Sequence, residues 1–177
     1  IAKRRGAVVQ ALKDRGAELK LVNGGGTGSM EWTRQEEAVT EITVGSGFFN
    51  SGLFDNYSNF RHNPSLAYAV EIVRQPQKNI YTCHGGGYQA SGAAGSDKTP
   101  VPYLPEDAKL LDQEGAGEVQ TPVLYKGNEK LNLGDPIFLR HAKAGELSER
   151  FKEFLLVNEC KIIGTPPTYR GEGQCFV

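Results

Sequence analysis

The chain has 177 residues, 38% hydrophobic and 23% charged, with 20 basic and 21 acidic side chains and a net charge of −1. That is room for one ordinary hydrophobic core, or two small ones sharing an interface. The even charge balance leaves no basic stripe for a nucleic acid, no apolar run is long enough to span a membrane, and the opening Ile1-Ala2-Lys3-Arg4-Arg5 is not a secretory leader.

In chain order, residues 2–15 carry Ala7, Val8, Ala11 and Leu12 on one stripe, with Gly16 placed to end a helix. Leu19 to Asn23 predicts a short strand, cut off by Gly24-Gly25-Gly26-Thr27-Gly28-Ser29. A second helix is expected from Thr33, where Thr33 and Glu36 have capping-box spacing. The strand Val39 to Val44 then runs into Gly45-Ser46-Gly47. This αβαβ order, with a glycine-rich loop after each strand, is the grammar of a parallel sheet. Two such strands cannot close a barrel or cover their own edges, so this region predicts the tail of a larger α/β domain. The absence of an initiator Met likewise suggests a piece of something longer.

From about residue 66 the pattern becomes antiparallel. Segments 67–74, 79–83, 118–125, 136–141, 153–157 and 160–164 are short, rich in β-branched or aromatic residues, and separated by turn signals at Gly127-Asn128, Gly134-Asp135 and Asn158-Glu159. Residues 84–117, rich in Gly, Ser, Ala and Pro, are expected to form a long loop of the functional or disordered kind. Cys83, Cys160 and Cys175 are odd in number and widely spaced, as in a reduced, cytoplasmic protein.

The two glycine loops are the first chemical signal. Backbone N–H groups unobstructed by side chains converge on anions at such turns, with hydroxyls from Thr27 and Ser29 expected to assist. Neither the Walker A pattern nor the dinucleotide fingerprint is present. Adjacent parallel strands set their C-terminal loops side by side, so the two turns can share one phosphate.

Asn23-Gly24-Gly25-Gly26-Thr27-Gly28-Ser29, then Val39 to Gly47, then Phe54-Asp55-Asn56-Tyr57, resemble the last two barrel strands of fold-type III pyridoxal-phosphate enzymes, the D-threonine aldolase, D-serine dehydratase and alanine racemase-like family. The resemblance continues more loosely through the β region. It implies an α/β fragment, residues 1–62, supplying the last two βα units of a pyridoxal-phosphate-binding TIM barrel, followed by a C-terminal antiparallel β domain over residues 63–177. It further implies that Gly26, Thr27 and Gly28 cradle the cofactor phosphate, with Gly45 and Ser46 contributing from the next loop. Tyr57 matches a family tyrosine without an assigned role. The family's Schiff-base lysine lies on the first barrel strand, a segment with no counterpart here. Lys13, Lys20 and Lys143 lie in a helix, at a strand start and in the β region. The chain alone is therefore expected to be inactive.

Metal-using members carry a His-x-Asp or His-x-Cys pair at the end of a β-domain strand. The matching stretch here runs from Leu139 through His141 and Lys143 to Glu146. His141 is kept, but Lys143 replaces the second ligand, and an ammonium repels a cation. Glu146 as a substitute ligand, and Lys143 as a substitute for the metal's charge, are the two alternatives. His84 is a further candidate for lining the active site. Its neighbour Cys83 must face the other way in a strand. Glu114 is either a substrate-facing group or a solvated turn carboxylate, Cys160 and Cys175 read as structural, and Arg61 and His62 receive no role. The expected whole is a homodimeric lyase on D-amino acids, completed by its own N-terminal barrel segment. The alternatives are an amino-acid racemase fragment and a non-catalytic phosphate-binding or oligomerisation module.

Overall fold

The computed structural model describes residues 1–168 and Glu172, so Cys175 lies outside the described residues. The chain divides into two compact units, Ile1–Asn50 with Phe54–Asn63, and Ser51–Leu53 with Pro64–Val177.

The first unit opens with helix α1, Ala2–Asp14. It ends as Gly16 predicts: Gly16 has φ +84°, its N–H donates to the Lys13 carbonyl, and the Ala17 N–H reaches back to the Leu12 carbonyl. This is the Schellman arrangement, which needs a left-handed residue at that point. The apolar stripe is not where the periodicity puts it. Val8 and Leu12 are 59% and 40% exposed, and no α1 residue is buried. The inward side is instead the Arg5–Gly6–Val9 face. Arg5 forms an ion pair with Glu36 at 2.6 Å and lies over Gly24, where a Cβ would come within 3.0 Å of the guanidinium.

Strands β1, Asn23–Gly24, and β2, Glu41–Ile42, are only two residues each and pair in parallel. Between them lie a 3-10 turn, Thr27–Ser29, and the short helix α2, Met30–Thr33. The helix expected to begin at Thr33 ends there. Thr33 is buried against Gly25, and Glu36, its expected capping partner, is held by Arg5 instead. A second 3-10 turn, Gly45–Phe48, follows β2, and a third spans Gly52–Asn56.

The second unit is built on β3 Tyr68–Gln77, β4 Ile80–His84, β5 Val101–Leu104, β6 Lys109–Leu110, β7 Gln120–Leu124 and β8 Pro136–Arg140. They form one antiparallel sheet in the order β5-β8-β3-β4-β7-β6. Its edge strands β5 and β6 approach one another, so the sheet is nearly closed. Alternation along β3 sends Tyr68, Val70 and Ile72 inward to meet Cys83, Val123, Ile137 and Leu139, all buried. β5 and β6 lie inside the stretch 84–117, where the sequence shows only a loop. Pro102 masks β5, and a strand containing proline is tolerated at an edge because no partner needs its missing N–H. After β8 come helix α3, Ala144–Ser148, and a separate hairpin of β9 Leu156–Asn158 and β10 Lys161–Gly164. Its turn residues Glu159 and Cys160 both have positive φ, one position later than the expected Asn158-Glu159.

Candidate functional site

In the first unit the parallel pairing of Asn23 with Glu41 and Gly24 with Ile42 brings the two glycine turns side by side. The Thr27 hydroxyl donates to the Val44 carbonyl, and a Cβ on Gly47 would lie 3.1 Å from the Thr27 side chain. Ser29 Oγ accepts from the Gly26 N–H at 3.2 Å. Both hydroxyls thus brace the turns, contrary to the expectation that they face an anion.

The anion-binding capacity lies in the backbone. The leading N–H groups of a 3-10 turn have no acceptor within the turn; here they belong to Thr27 and Gly28 in one turn and Gly45 and Ser46 in the other. Neither turn carries an acidic residue in its first positions. Gly45 has φ +44°, and nothing lies within 4 Å of where its Cβ would be, so the chain is open there. Gly28 is closed on one side, because a Cβ would fall 2.6 Å from the Tyr57 ring. Tyr57 is set by edge contact with Phe54 at 5.3 Å and by Phe60 at 5.5 Å between ring centroids. The leading N–H groups of Thr27, Gly28, Gly45 and Ser46 therefore lie in one cluster, the kind of cradle a phosphate fits, whereas the Gly26 N–H is already taken by Ser29.

In the second unit His84 and His141 leave β4 and β8 at the same end of the sheet, with β3 between them. They lie on opposite faces. Cys83 pairs with Ile72 and faces the core, which turns His84 out to solvent, whereas His141 is in phase with Leu139 and only 2% exposed. Sequence-adjacent Cys83 and His84 therefore share no site, and His84 is not brought to His141. Cys83 is fully buried, and burial pushes its thiol up to about 11. His141 is held down to about 4, first by burial and then by the Arg140 charge, with a weaker opposing contribution from the Leu66 backbone. Neither ring nitrogen makes a well-formed hydrogen bond.

Lys143 and Glu146 close on a residue that sequence reasoning did not single out. Lys143 Nζ donates to the Ser91 carbonyl at 2.7 Å and lies 3.2 Å from Ser91 Oγ, while the Ser91 N–H donates to Glu146 Oε1 at 2.8 Å. Two more residues missed from sequence hold the glycine turn after His84. Tyr68 Oη donates to the Gly86 carbonyl at 2.6 Å, and Thr121 Oγ1 donates to the Gly85 carbonyl at 2.6 Å. Their signal was a polar residue in phase with inward-facing apolar ones, Tyr68 with Val70 and Thr121 with Val123. Glu114 is exposed beside a cavity of about 390 Å³ lined also by Leu111, Asp112, Gln113, Gln120 and Pro122. Cys160 is exposed at the tip of the β9–β10 hairpin. The His62 ring stacks on Phe60 at 4.6 Å, and Arg61 donates to the Asp55 carbonyl.

No protein-family model matches the chain, and no curated protein matches its sequence. Solved structures do match. A D-threonine aldolase from Filomicrobium marinum aligns with 99% of this chain and 47% of its own, at TM-score 0.80 and 16% identity. D-threo-3-hydroxyaspartate dehydratase from Delftia sp. HT23, and a mutant D-threo-3-hydroxyaspartate dehydratase in the metal-free form, each align with 94% of this chain and 50% of theirs, at TM-score 0.66 and 17% identity. No helix among the described residues is long and apolar enough to cross a membrane. At this level of identity the likeness is one of fold: the chain is built as D-threonine aldolase and D-threo-3-hydroxyaspartate dehydratase are built, and spans about half the length of the solved structures it matches.

Proposed function

We propose that this chain is the C-terminal portion of a pyridoxal-phosphate enzyme acting on D-amino acids, an aldolase or dehydratase-type lyase, with the first unit forming the last two βα units of its barrel. The observation that carries the reading is the pairing of the two glycine turns, with the leading N–H groups belonging to Thr27, Gly28, Gly45 and Ser46 and no acidic residue in the first positions of either turn. These groups hold the cofactor phosphate, and Tyr57 walls one side of the turn at Gly28. Pyridoxal phosphate, when bound, supplies an electron sink for the substrate carbon, a chemistry common to aldol cleavage, elimination and racemisation.

The chain's own β region contributes position more than proton transfer. His141 is neutral above about pH 4, so near neutrality it offers one lone pair and one N–H from a dry, fixed ring. Lys143 is held by Ser91 at the rim. His84 faces solvent and is left for a residue or substrate reaching that outer face. The amine that would capture the cofactor aldehyde belongs to an N-terminal barrel segment of the same enzyme, and the assembled enzyme is a cytoplasmic homodimer.

The test uses the 177-residue chain. Pyridoxal phosphate should bind reversibly, inorganic phosphate should compete, and borohydride should fix no lysine at a defined site by mass spectrometry. Stoichiometric labelling of one lysine would place the nucleophile in this chain and overturn the assignment. Binding indifferent to phosphate would remove the glycine turns from the account.

A further inference from the structure

The end of β8 is where the resemblance implies a divalent metal, held by a histidine and a second ligand two residues on. The donor set there does not fit one. Lys143 stands at the second position, and a protonated amine has no lone pair to give and repels a cation. Glu146, the carboxylate on the next turn, accepts from the Ser91 N–H. Among the described residues, no group of three or more His, Cys, Asp or Glu gathers to hold a metal.

What stands in that place is a built contact. The ammonium of Lys143 and the carboxylate of Glu146 grip Ser91 from both sides, engaging its carbonyl, hydroxyl and N–H together. The partners are 52 and 55 residues apart in sequence, so the contact ties the loop after β4 to the start of α3. The loop is braced further along. The Ala90 N–H donates to the Lys98 carbonyl at 2.9 Å, and Thr99 Oγ1 donates to Gln89 Oε1 at 3.1 Å. Asp97 pairs with Lys98 and also feels the Lys143 charge, and both hold its carboxyl below the usual range.

We propose that Lys143 is an internal cation in place of a metal: it closes the end of β8 to divalent ions and, with Glu146, locks the Ser91 loop onto α3. Only the expectation of a metal at this strand end comes from the family resemblance on which the proposed function also rests. The proposal concerns the second unit alone, so failure of phosphate binding at the glycine turns would leave it standing.

The experiment combines metal titration with hydrogen exchange on the full chain. The wild-type protein should take up no Zn²⁺ or Mn²⁺ at stoichiometric level by calorimetry, and EDTA should leave exchange of the Ser91 amide unchanged. Lys143→Met should speed exchange at Ser91 and its neighbours roughly tenfold or more, as expected when about 1.4 kcal/mol of local protection is lost. Lys143→Arg, which keeps the charge, should restore much of it. Lys143→Asp, recreating a His-x-Asp pair, should gain Zn²⁺ binding near one equivalent. One equivalent of metal retained by the wild type would overturn the proposal. So would a folded Lys143→Met protein with unchanged exchange at Ser91, or a folded Lys143→Asp protein that still refuses Zn²⁺.

Discussion

Thr121 joins three backbone segments at the turn after β4, and replacing it with valine isolates what its hydroxyl does. Thr121 is fully buried. Its Oγ1 donates to the Gly85 carbonyl at 2.6 Å and accepts from the Gly117 N–H at 3.2 Å. Thr121→Val keeps the side-chain volume and the packing beside Cys83, and removes both bonds. A buried group left unpaired costs about 1–3 kcal/mol. Gly85 and Gly117 are only half-buried, so water reaches part of each group and the lower half of that range applies. The sum over the two groups is roughly 2–4 kcal/mol, or about 1–2 M off the urea midpoint at an m-value near 2 kcal/mol/M. Thr121→Ser keeps both bonds, loses one methyl group, and should cost about 1 kcal/mol. The assay is urea unfolding of the three proteins with hydrogen exchange at the Gly117 amide. A valine variant with the wild-type midpoint, or a serine variant destabilised as much as valine, would refute the reasoning.

Gly28→Ala forces its new methyl into the Tyr57 ring, 2.6 Å away, and should destabilise the turn by about 1–3 kcal/mol. Adding Tyr57→Ala should recover much of that in a double-mutant cycle, and strict additivity would count against the contact. Cys83 should resist iodoacetamide in the native protein, since it is buried with a raised thiol pKa, whereas Cys160 should react readily; peptide mapping that finds Cys83 labelled without unfolding would contradict its placement. His141 should make stability fall with acid. Its folded pKa of about 4 lies below the unfolded 6.5, so the contribution is complete above pH 6.5 and declines as pH drops toward 4. By pH 5 the loss is about 2 kcal/mol, read as a steeper pH slope of unfolding free energy than in His141→Asn; parallel slopes would disprove the burial.

Much of the β domain could be read along the chain, because short runs of β-branched and aromatic residues parted by turn residues mark strands. The runs 67–74 and 136–141 located β3 and β8, and Gly16 located the end of α1. The adjacency of Cys83 and His84 already placed them on opposite faces. Other features depended on which segments meet. The stripe of α1 was legible but its covered face was not, since Arg5 turned toward Glu36 and Gly24 instead. The helix expected from Thr33 ended there because tertiary packing claimed both halves of the capping box. β5 and β6 were hidden by proline and by their shortness, and exist because β8 and β7 offered them edges to pair with.

The sequence by itself determined the two glycine turns and set Lys143 two residues after His141, since both are matters of which residues stand next to one another. Only the tertiary structure decided that the Thr27 hydroxyl is spent on Val44, that His84 and His141 part company, and that Lys143 and Glu146 close on Ser91. Each of these depends on partners brought together across many residues, and local pattern carries no record of such distant pairings.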